Sequence, residues 1–199
     1  MGCSYCGRDA VYSCGVCGKP ICPEHVKLRT LCTSCVKERG LKYIVACVVS
    51  GKERRKIGEL VRRFWGEEEQ LTFDRTFRVN DLPALVASAD GKIVGFLAYA
   101  ELTDAVIIVA LGVLPQFQGS MVGRRLIDRL EERAKSMRKR RLLVSTSNDD
   151  LPALAFYQSL GFQICEVKPN VIAKKHGAVL KGIGGLPIRD ELRLQKNLR

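Results

Sequence analysis

The chain has 199 residues, of which 46% are hydrophobic and 27% are charged, so its composition excludes wholesale disorder. The longest apolar run, Ala105 to Leu114, gives about 15 Å of helix, half of a bilayer core, and we expect no membrane span. A formal net charge of +12 favours anionic partners without choosing among phosphorylated cofactors, acidic proteins and nucleic acid. Since Met1 is not followed by the apolar stretch of a secretory signal, we expect a cytoplasmic protein.

Cysteines are concentrated at the N-terminus, where seven of the nine lie between Cys3 and Cys35. They form four two-residue-spaced pairs: Cys3-x-x-Cys6, Cys14-x-x-Cys17, Cys22-x-x-His25 and Cys32-x-x-Cys35. Each pair can direct two ligands at one ion, and a tetrahedral zinc needs two pairs, so eight ligands predict two closed structural sites. Disulfides or redox-active pairs are the alternatives, and the odd cysteine count argues against a disulfide framework.

Residues 1–38 resemble the small two-zinc fingers of the HIT and B-box kind. The resemblance implies interleaved, cross-brace ligand pairs and a role in recruiting or orienting a protein partner. One ion would take Cys3, Cys6, Cys22 and His25, and the other would take Cys14, Cys17, Cys32 and Cys35. The spacing of the last pair departs from that of HIT fingers, so the subclass and the ligand pairing stay open.

From Leu41 the pattern becomes that of a mixed α/β domain, which we place at residues 39–199. Its first half predicts a helix with Ile57, Leu60, Val61 and Phe64 on one face, and a hairpin around Asp90-Gly91. The predicted strands are Lys42–Val49, Ala84–Ala89, Lys92–Tyr99 and Asp104–Val113, and the helix is Lys52–Trp65. Glu67 to Asp81 is polar and predicts neither helix nor strand.

The second half predicts two helices and three strands. The first helix is long, with Val122, Leu126, Leu130, Ala134 and Met137 facing inward. The second helix begins near Pro152 and ends before Gly161. The strands are Leu142–Thr146, Phe162–Val167, in which Cys165 is expected to be buried, and Asp190–Leu194.

The segment Gln118–Arg124 lies where a strand runs through a glycine-containing turn into a helix. Free backbone N–H groups and the positive end of the helix dipole suit a pyrophosphate there. A second segment follows at a suitable distance, Asn148 to Phe162, and it contains Ala155-Phe156-Tyr157-x-x-x-Gly161-Phe162.

Together these two motifs resemble the GNAT acetyltransferase family over residues 41–199. The resemblance implies a mainly antiparallel sheet with helices on both faces and an acetyl-CoA site. It implies main-chain contacts from Leu111 and Val113, and Asn148 on the cofactor arm. Tyr157 would protonate the leaving thiolate after direct attack by an amine. The implied phosphate loop comprises Gln118, Gly119, Ser120, Met121, Val122, Gly123 and Arg124.

The chain departs from the family pattern in two places. Met121 replaces a glycine in the middle of the phosphate loop, where it would either narrow the site or point away from it. The stretch from Asn148 to Tyr157 is two residues longer than usual, as in a GNAT subgroup that also carries the Gly185–Glu191 type of ending. No general base is visible, because the strand position that holds a glutamate in some relatives is Leu143.

We therefore expect an acyltransferase that moves an acetyl group from acetyl-CoA to a protein or small-molecule amine. The alternative is a coenzyme-A-binding adaptor that acts through its zinc finger, on a protein or, less in keeping with the mixed charges of its helices, on nucleic acid. A long connection between the last two strands is expected to cover the acceptor side. Its lysines Lys174, Lys175 and Lys181 would then disfavour cationic acceptors, and His176 is expected on the surface.

Overall fold

The computed structural model describes residues 2–10, 12–13, 19–22, 44–47, 50–89 and 91–198. The predicted ligands Cys14, Cys17, His25, Cys32 and Cys35, and the proposed boundary between residues 38 and 39, lie outside them. The described strands are β1 (Tyr12–Ser13), β2 (Pro20–Ile21), β3 (Ile44–Cys47), β4 (Glu69–Thr72), β5 (Arg75–Arg78), β6 (Ala84–Ala89), β7 (Lys92–Glu101), β8 (Ala105–Val113), β9 (Arg141–Ser147), β10 (Gln163–Lys168), β11 (Leu180–Lys181), β12 (Pro187–Ile188) and β13 (Glu191–Asn197). The described helices are α1 (Gly51–Trp65), α2 (Val122–Ser136), α3 (Leu151–Ser159) and α4 (Val171–His176). None of these helices is long and apolar enough to cross a bilayer.

Seven strands form one sheet in the order β10-β13-β9-β8-β7-β6-β3. All neighbours are antiparallel except β8 and β9, which run parallel because α2 connects them. The expectation of a mainly antiparallel sheet is confirmed. So are the central strands, although β13 extends further than predicted.

Helices cover both faces of the sheet because their apolar residues recur at helical spacing. The α2 residues Val122, Leu126, Ile127 and Leu130 are buried in the larger core, to which α3 contributes Tyr157. On the other face, α1 buries its own apolar stripe against β6, β7 and β8, as predicted; its buried side chains are Ile57, Leu60 and Val61. Ser50 and Glu53 form a capping box at the start of α1, and Gly66 ends the helix with φ +79°.

The polar segment after α1 forms the hairpin β4–β5, which the sequence pattern did not reveal. Its aromatic side chains Phe73 and Phe77 pack on Ala105, Ile107 and Leu143 and so complete the core on the α1 face. The hairpin turn is fastened to β13, since the Phe73 N–H donates to Glu191 Oε1 at 2.9 Å. Hairpin and sheet therefore form one unit beside the ends of β8 and β9.

A buried ion cluster lies under this turn and is centred on Arg193 of β13. Its guanidinium lies 2.8 Å from carboxylate oxygens of Asp74, Glu166 and Glu191, and 4.9 Å from the centre of the Phe73 ring. Arg193 and Glu191 are almost completely buried, whereas Asp74 and Glu166 remain half-exposed. Arg193 thus neutralises the buried Glu191 and ties β5, β10 and β13 together.

Strand β10 differs from the prediction at its side chains. Cys165 is exposed rather than buried, because β10 is the last described strand of the sheet and Gln163 to Val167 are all exposed. A register shift between Ile164 and Glu166 accompanies this, and Cys165 Sγ donates to the Arg193 carbonyl at 3.4 Å. Apolar residues alone therefore did not identify a buried strand.

Candidate active site

The two parallel strands separate towards their carboxyl ends. Pairing between β8 and β9 covers only Ala105–Ile108 against Arg141–Val144. Beyond this point β8 stays with β7 and β9 stays with β13. A register shift in β8, with Val109 as the extra residue, marks the start of the separation and is a β-bulge. The result is a wedge-shaped opening between the carboxyl ends of β8 and β9.

Backbone groups of β8 face this opening. The N–H of Leu114 donates to the Val94 carbonyl of β7 at 2.9 Å. Because successive residues of a strand direct their N–H and C=O groups to opposite sides, those of Leu111 and Val113 point away from β7 and into the opening. Gln118 Nε2 donates to the Val113 carbonyl at 3.1 Å. The other backbone groups of Leu111 and Val113 lie where β9 no longer pairs with β8.

The segment between β8 and α2 is a tight loop with two residues in the left-handed region. Gly119 has φ +79° and Met121 has φ +69°. A non-glycine residue in this region carries roughly 1–2 kcal/mol of steric strain, which explains why glycine suits position 121. The Met121 side chain is 46% exposed and therefore points largely away from the protein. Ser120 is buried, and its hydroxyl donates to the Phe117 carbonyl.

The loop leads directly into the first turn of α2, which no side chain caps. The N–H groups of Val122, Gly123 and Arg124 have no partner within the helix, because the first turn lacks preceding carbonyls. Gly123 also allows close packing: a Cβ at this position would lie 3.1 Å from Phe156 Cζ of α3. The two motifs identified from the sequence are therefore in contact.

Tyr157 lies next to Phe156 and packs edge-on against Phe156 and Phe162, with ring centres 5.3 and 5.5 Å away. It is only 6% exposed. Burial, followed by the negative charge of Asp150, raises the pKa of its phenol well above the ordinary value near 10. The phenol is therefore fully protonated at neutral pH and can act as a proton donor.

Asn148 has an internal role at the end of β9. Its Oδ1 accepts from the N–H groups of Arg189 and Asp190 at 3.0 and 2.9 Å, and its Nδ2 donates to the Pro187 carbonyl at 2.7 Å. Most of its hydrogen-bonding capacity is therefore used to hold the segment before β13. Asp150, seven residues before Tyr157, lies two positions closer to it, which is the usual motif spacing.

Asp150 begins helix α3 and accepts the N–H of Ala153 at 3.0 Å through Oδ1. Burial is the main cause that raises the pKa of its carboxyl, and the neighbouring Asp149 adds to it. In this arrangement Asn148 fastens the chain, while Asp150 and Tyr157 share α3.

The connection from β10 to β13, residues 169–190, bridges the mouth of the opening. On the α1 side, Lys175 of α4 pairs with Glu67, and its Nζ lies 3.3 Å from the Glu69 carbonyl oxygen. On the α3 side, the Ile183 N–H donates to Asp149 Oδ2 at 3.0 Å. Between these contacts the small hairpin β11–β12 forms a cover. Lys175 is thus neutralised, and His176 is exposed as expected.

A family model described as "Acetyltransferase (GNAT) family" matches residues 54–162, more than half of the chain. The chain belongs to the GNAT acetyltransferase family. It is 28% identical over 148 residues to the uncharacterized protein YdhI of Bacillus subtilis (strain 168), which covers 72% of this chain and 91% of YdhI.

Solved structures of low sequence identity share the fold of this acetyltransferase. An IAA acetyltransferase from Bacillus cereus ATCC 14579 has a TM-score of 0.59 at 21% identity, over 79% of this chain and all of that one. A GNAT family acetyltransferase from Elizabethkingia anophelis with acetyl-CoA bound has a TM-score of 0.60 at 17% identity, over 78% of this chain and 98% of that one.

The N-terminal part of the acetyltransferase brings three predicted metal ligands together. The Sγ atoms of Cys3, Cys6 and Cys22 lie within 4.8 Å of one another, and those of Cys6 and Cys22 are 3.7 Å apart. Backbone hydrogen bonds support the arrangement, with the Cys3 N–H donating to Arg8 and the Ser4 N–H to Pro20. Burial alone would raise the pKa of the Cys3 thiol, but backbone hydrogen bonds, that of Cys22 first, lower it to about 6.

The motif residues of the acetyltransferase meet at one place, but sequence reasoning missed part of the site. Leu111, Val113 and the loop Gln118–Arg124 form one wall of the opening, and Tyr157 is on the adjoining helix. The internal role of Asn148, the position of Asp149 and the contact between Lys175 and Glu67 were not anticipated. The two extra residues between Asn148 and Tyr157 were the one available signal, since they place Asp150 at the usual spacing.

Proposed function

We propose that the protein transfers an acetyl group from acetyl-CoA to an amine acceptor in a single direct step. The observation that carries the proposal is the opening between β8 and β9, with the open backbone groups of Leu111 and Val113 beside the loop Gln118–Arg124. A thioester needs such a combination: anion-binding amides for the pyrophosphate and strand amides for the pantetheine arm.

In this mechanism the N–H groups at the start of α2 bind the pyrophosphate, and Arg124 adds a positive charge. The Val113 N–H stabilises the oxyanion that forms when the amine nitrogen attacks the thioester carbonyl. The C–N bond forms, the C–S bond breaks, and the thiolate takes the proton of the Tyr157 phenol. The proton that the nitrogen loses restores the phenol. The raised pKa of Tyr157 makes proton donation uphill in isolation, so positioning must supply the advantage.

Asn148 keeps one amide N–H beyond its contacts with the Pro187–Asp190 segment, and this group is available for the pantetheine arm. Asp150 shares the task because it lies at the usual spacing from Tyr157. The adaptor alternative rests on Met121, which introduces strain into the phosphate loop. The loop nevertheless adopts the conformation that a glycine would take, with the Met121 side chain outward, and this favours the enzyme.

The test is acetyl-CoA consumption, followed as released thiol, with a panel of peptide amines and small amines. Wild type should release thiol in an amine-dependent way. Tyr157→Phe should lower kcat by at least tenfold and leave the affinity for coenzyme A unchanged, because the phenyl ring preserves the packing. Binding of coenzyme A without turnover on any amine would favour the adaptor, and failure to bind coenzyme A would refute both functions.

The N-terminal module is proposed to hold two structural zinc ions and to recruit or orient a protein partner. Tetrahedral thiolates about 2.3 Å from a zinc ion lie about 3.8 Å apart, close to the distance between the Cys6 and Cys22 sulfurs. The meeting of the first and third pairs supports the interleaved ligand sets, with His25 completing this site and Cys14, Cys17, Cys32 and Cys35 forming the other. Zinc would fold the module, and a cytoplasmic location would keep its thiols reduced.

A further inference from the structure

Two adjacent acids at the junction of β9 and α3 carry negative charge without a counter-ion. Asp149 is 4% exposed, and Asp150 is partly buried. Within the described ranges neither forms an ion pair, whereas the buried Glu191 is paired with Arg193. Lys181 is close along the β11–β12 hairpin and makes no ion pair with them. In a chain with a net charge of +12, an unbalanced pair of acids at this place requires an explanation.

One oxygen of Asp149 lacks any hydrogen-bond donor. Oδ2 accepts the N–H of Ile183 at 3.0 Å, but Oδ1 is buried and has no partner among the residues that the structure describes. Leaving a buried acceptor unsatisfied costs about 1–3 kcal/mol, and more when the acceptor is charged. Oδ1 is therefore suited to a donor that the chain itself does not supply.

Asp149 stands where the acceptor must arrive. It comes two residues after the end of β9, whose last residues Ser145 to Ser147 have already separated from β8. The β11–β12 hairpin covers it closely, since a Cβ at Gly182 would lie 2.0 Å from Oδ2. The cofactor loop occupies the opposite wall of the opening, which leaves this side for the amine.

Aliphatic side chains accompany the two acids. Leu151 donates its N–H to the Asp149 carbonyl at 2.9 Å, and its side chain is 54% exposed. Ile183, which contacts Oδ2 through its N–H, is 51% exposed. Exposed aliphatic groups next to an unbalanced carboxylate match a molecule that carries both a cation and an alkyl chain.

Building on the proposed function, we propose that Asp149, supported by the charge of Asp150, binds the ammonium group of an alkylamine acceptor through Oδ1. An alkylamine is protonated at neutral pH and supplies both the positive charge and the N–H donors that this oxygen lacks. The acceptor class is therefore aliphatic primary amines. The lysines of the 169–190 connection act on the distal part of the acceptor and not on its amine.

The test compares Asp149→Asn with the matched control Asp104→Asn, which removes an exposed carboxylate at the opposite end of β8. Acetyl transfer is measured with n-butylamine, which is cationic at neutral pH, and with aniline, which is neutral. Asp149→Asn should lower kcat/KM for n-butylamine by at least tenfold, leave aniline within about twofold, and leave the KM for acetyl-CoA unchanged. An equal loss with both amines, or no loss with either, would overturn the proposal.

A second variant separates the charge from the position of the hairpin. Gly182→Ala forces the hairpin away from Asp149 but keeps the carboxylate, so it should not reproduce the selective loss with n-butylamine. If it does, the hairpin rather than the charge explains the effect and the proposal fails.

A binding measurement keeps this inference separate from the proposed function. Calorimetric titration of n-butylammonium into the coenzyme A complex should show affinity at least tenfold weaker for Asp149→Asn, with n-butanol as the uncharged control. Equal affinities would refute the role of Asp149 even if acetyl transfer is found. Absence of transfer together with a selective loss of binding would refute the enzyme function and support the cation site.

Discussion

Replacing Gly119 by aspartate introduces one negative charge into the loop proposed to bind the pyrophosphate. Gly119 has φ +79°, a conformation that aspartate and asparagine both adopt more readily than other side chains. Gly119→Asn is therefore a matched control, with nearly the same shape and backbone cost but no charge. The difference between the two variants isolates the electrostatic effect.

The size of that effect follows from the proposed geometry. A phosphate oxygen that accepts a loop N–H at about 2.9 Å would place its charge roughly 6 Å from the new carboxylate. With an effective dielectric constant between about 40 and 80, each pair of charges repels by roughly 0.7–1.4 kcal/mol. Two phosphate charges give about 1.4–2.8 kcal/mol, which corresponds to roughly 10- to 100-fold weaker binding.

Coenzyme A affinity measured by calorimetry tests this estimate. Gly119→Asp should bind at least tenfold more weakly than Gly119→Asn, and the difference should shrink at about 1 M salt, where the Debye length is near 3 Å. Equal affinities for the two variants would mean that the phosphates bind elsewhere. A difference that persists at high salt would point to a steric cause.

Three further changes test other parts of the structure. Met121→Gly removes left-handed strain but loosens the unfolded chain, so the unfolding free energy should change by less than about 1 kcal/mol, and coenzyme A should bind equally well or more tightly; weaker binding would show that the Met121 side chain contributes. Arg193→Met leaves Glu191 buried without its cation and should lower the unfolding free energy in urea by about 3–5 kcal/mol, against less than about 1 kcal/mol for the half-exposed Glu166→Gln. Since Arg193 lowers the pKa values of Asp74 and Glu166, its stabilisation of them is complete above about pH 4 and is lost at lower pH, so Arg193→Met should flatten the acid limb of the stability profile. Chelation should release two zinc ions and unfold residues 1–38 only, and His25→Ala should lower the zinc content towards one; a chain without zinc would contradict the metal sites.

Local patterns were sufficient for much of the fold. The α1 and α2 helices follow from apolar residues at helical spacing, and the hairpin β6–β7 follows from Asp90-Gly91 between two apolar runs. These features depend on residues close together in the chain. The loop Gln118–Arg124 and the motif around Tyr157 were found for the same reason, because each is a short segment with a characteristic spacing.

Features that depend on long-range pairing were not visible in the sequence. The hairpin β4–β5 is polar, and it became recognisable only where Phe73 and Phe77 meet the sheet. Cys165 lies in an apolar stretch but is exposed, since no described strand covers β10 on its outer side. Local hydrophobicity does not say which strand will be last in a sheet.

The sequence by itself determined the enzyme family, the phosphate loop and the N-terminal series of metal-ligand pairs, because each depends on a fixed spacing of residue types. Only the tertiary structure decided the roles of neighbouring polar residues. Asn148, Asp149 and Asp150 are consecutive, yet one fastens the Pro187–Asp190 segment, one is buried with an unsatisfied oxygen and one caps α3. These roles differ because each side chain meets a different distant segment, and the path of residues 169–190 over the opening sets those meetings.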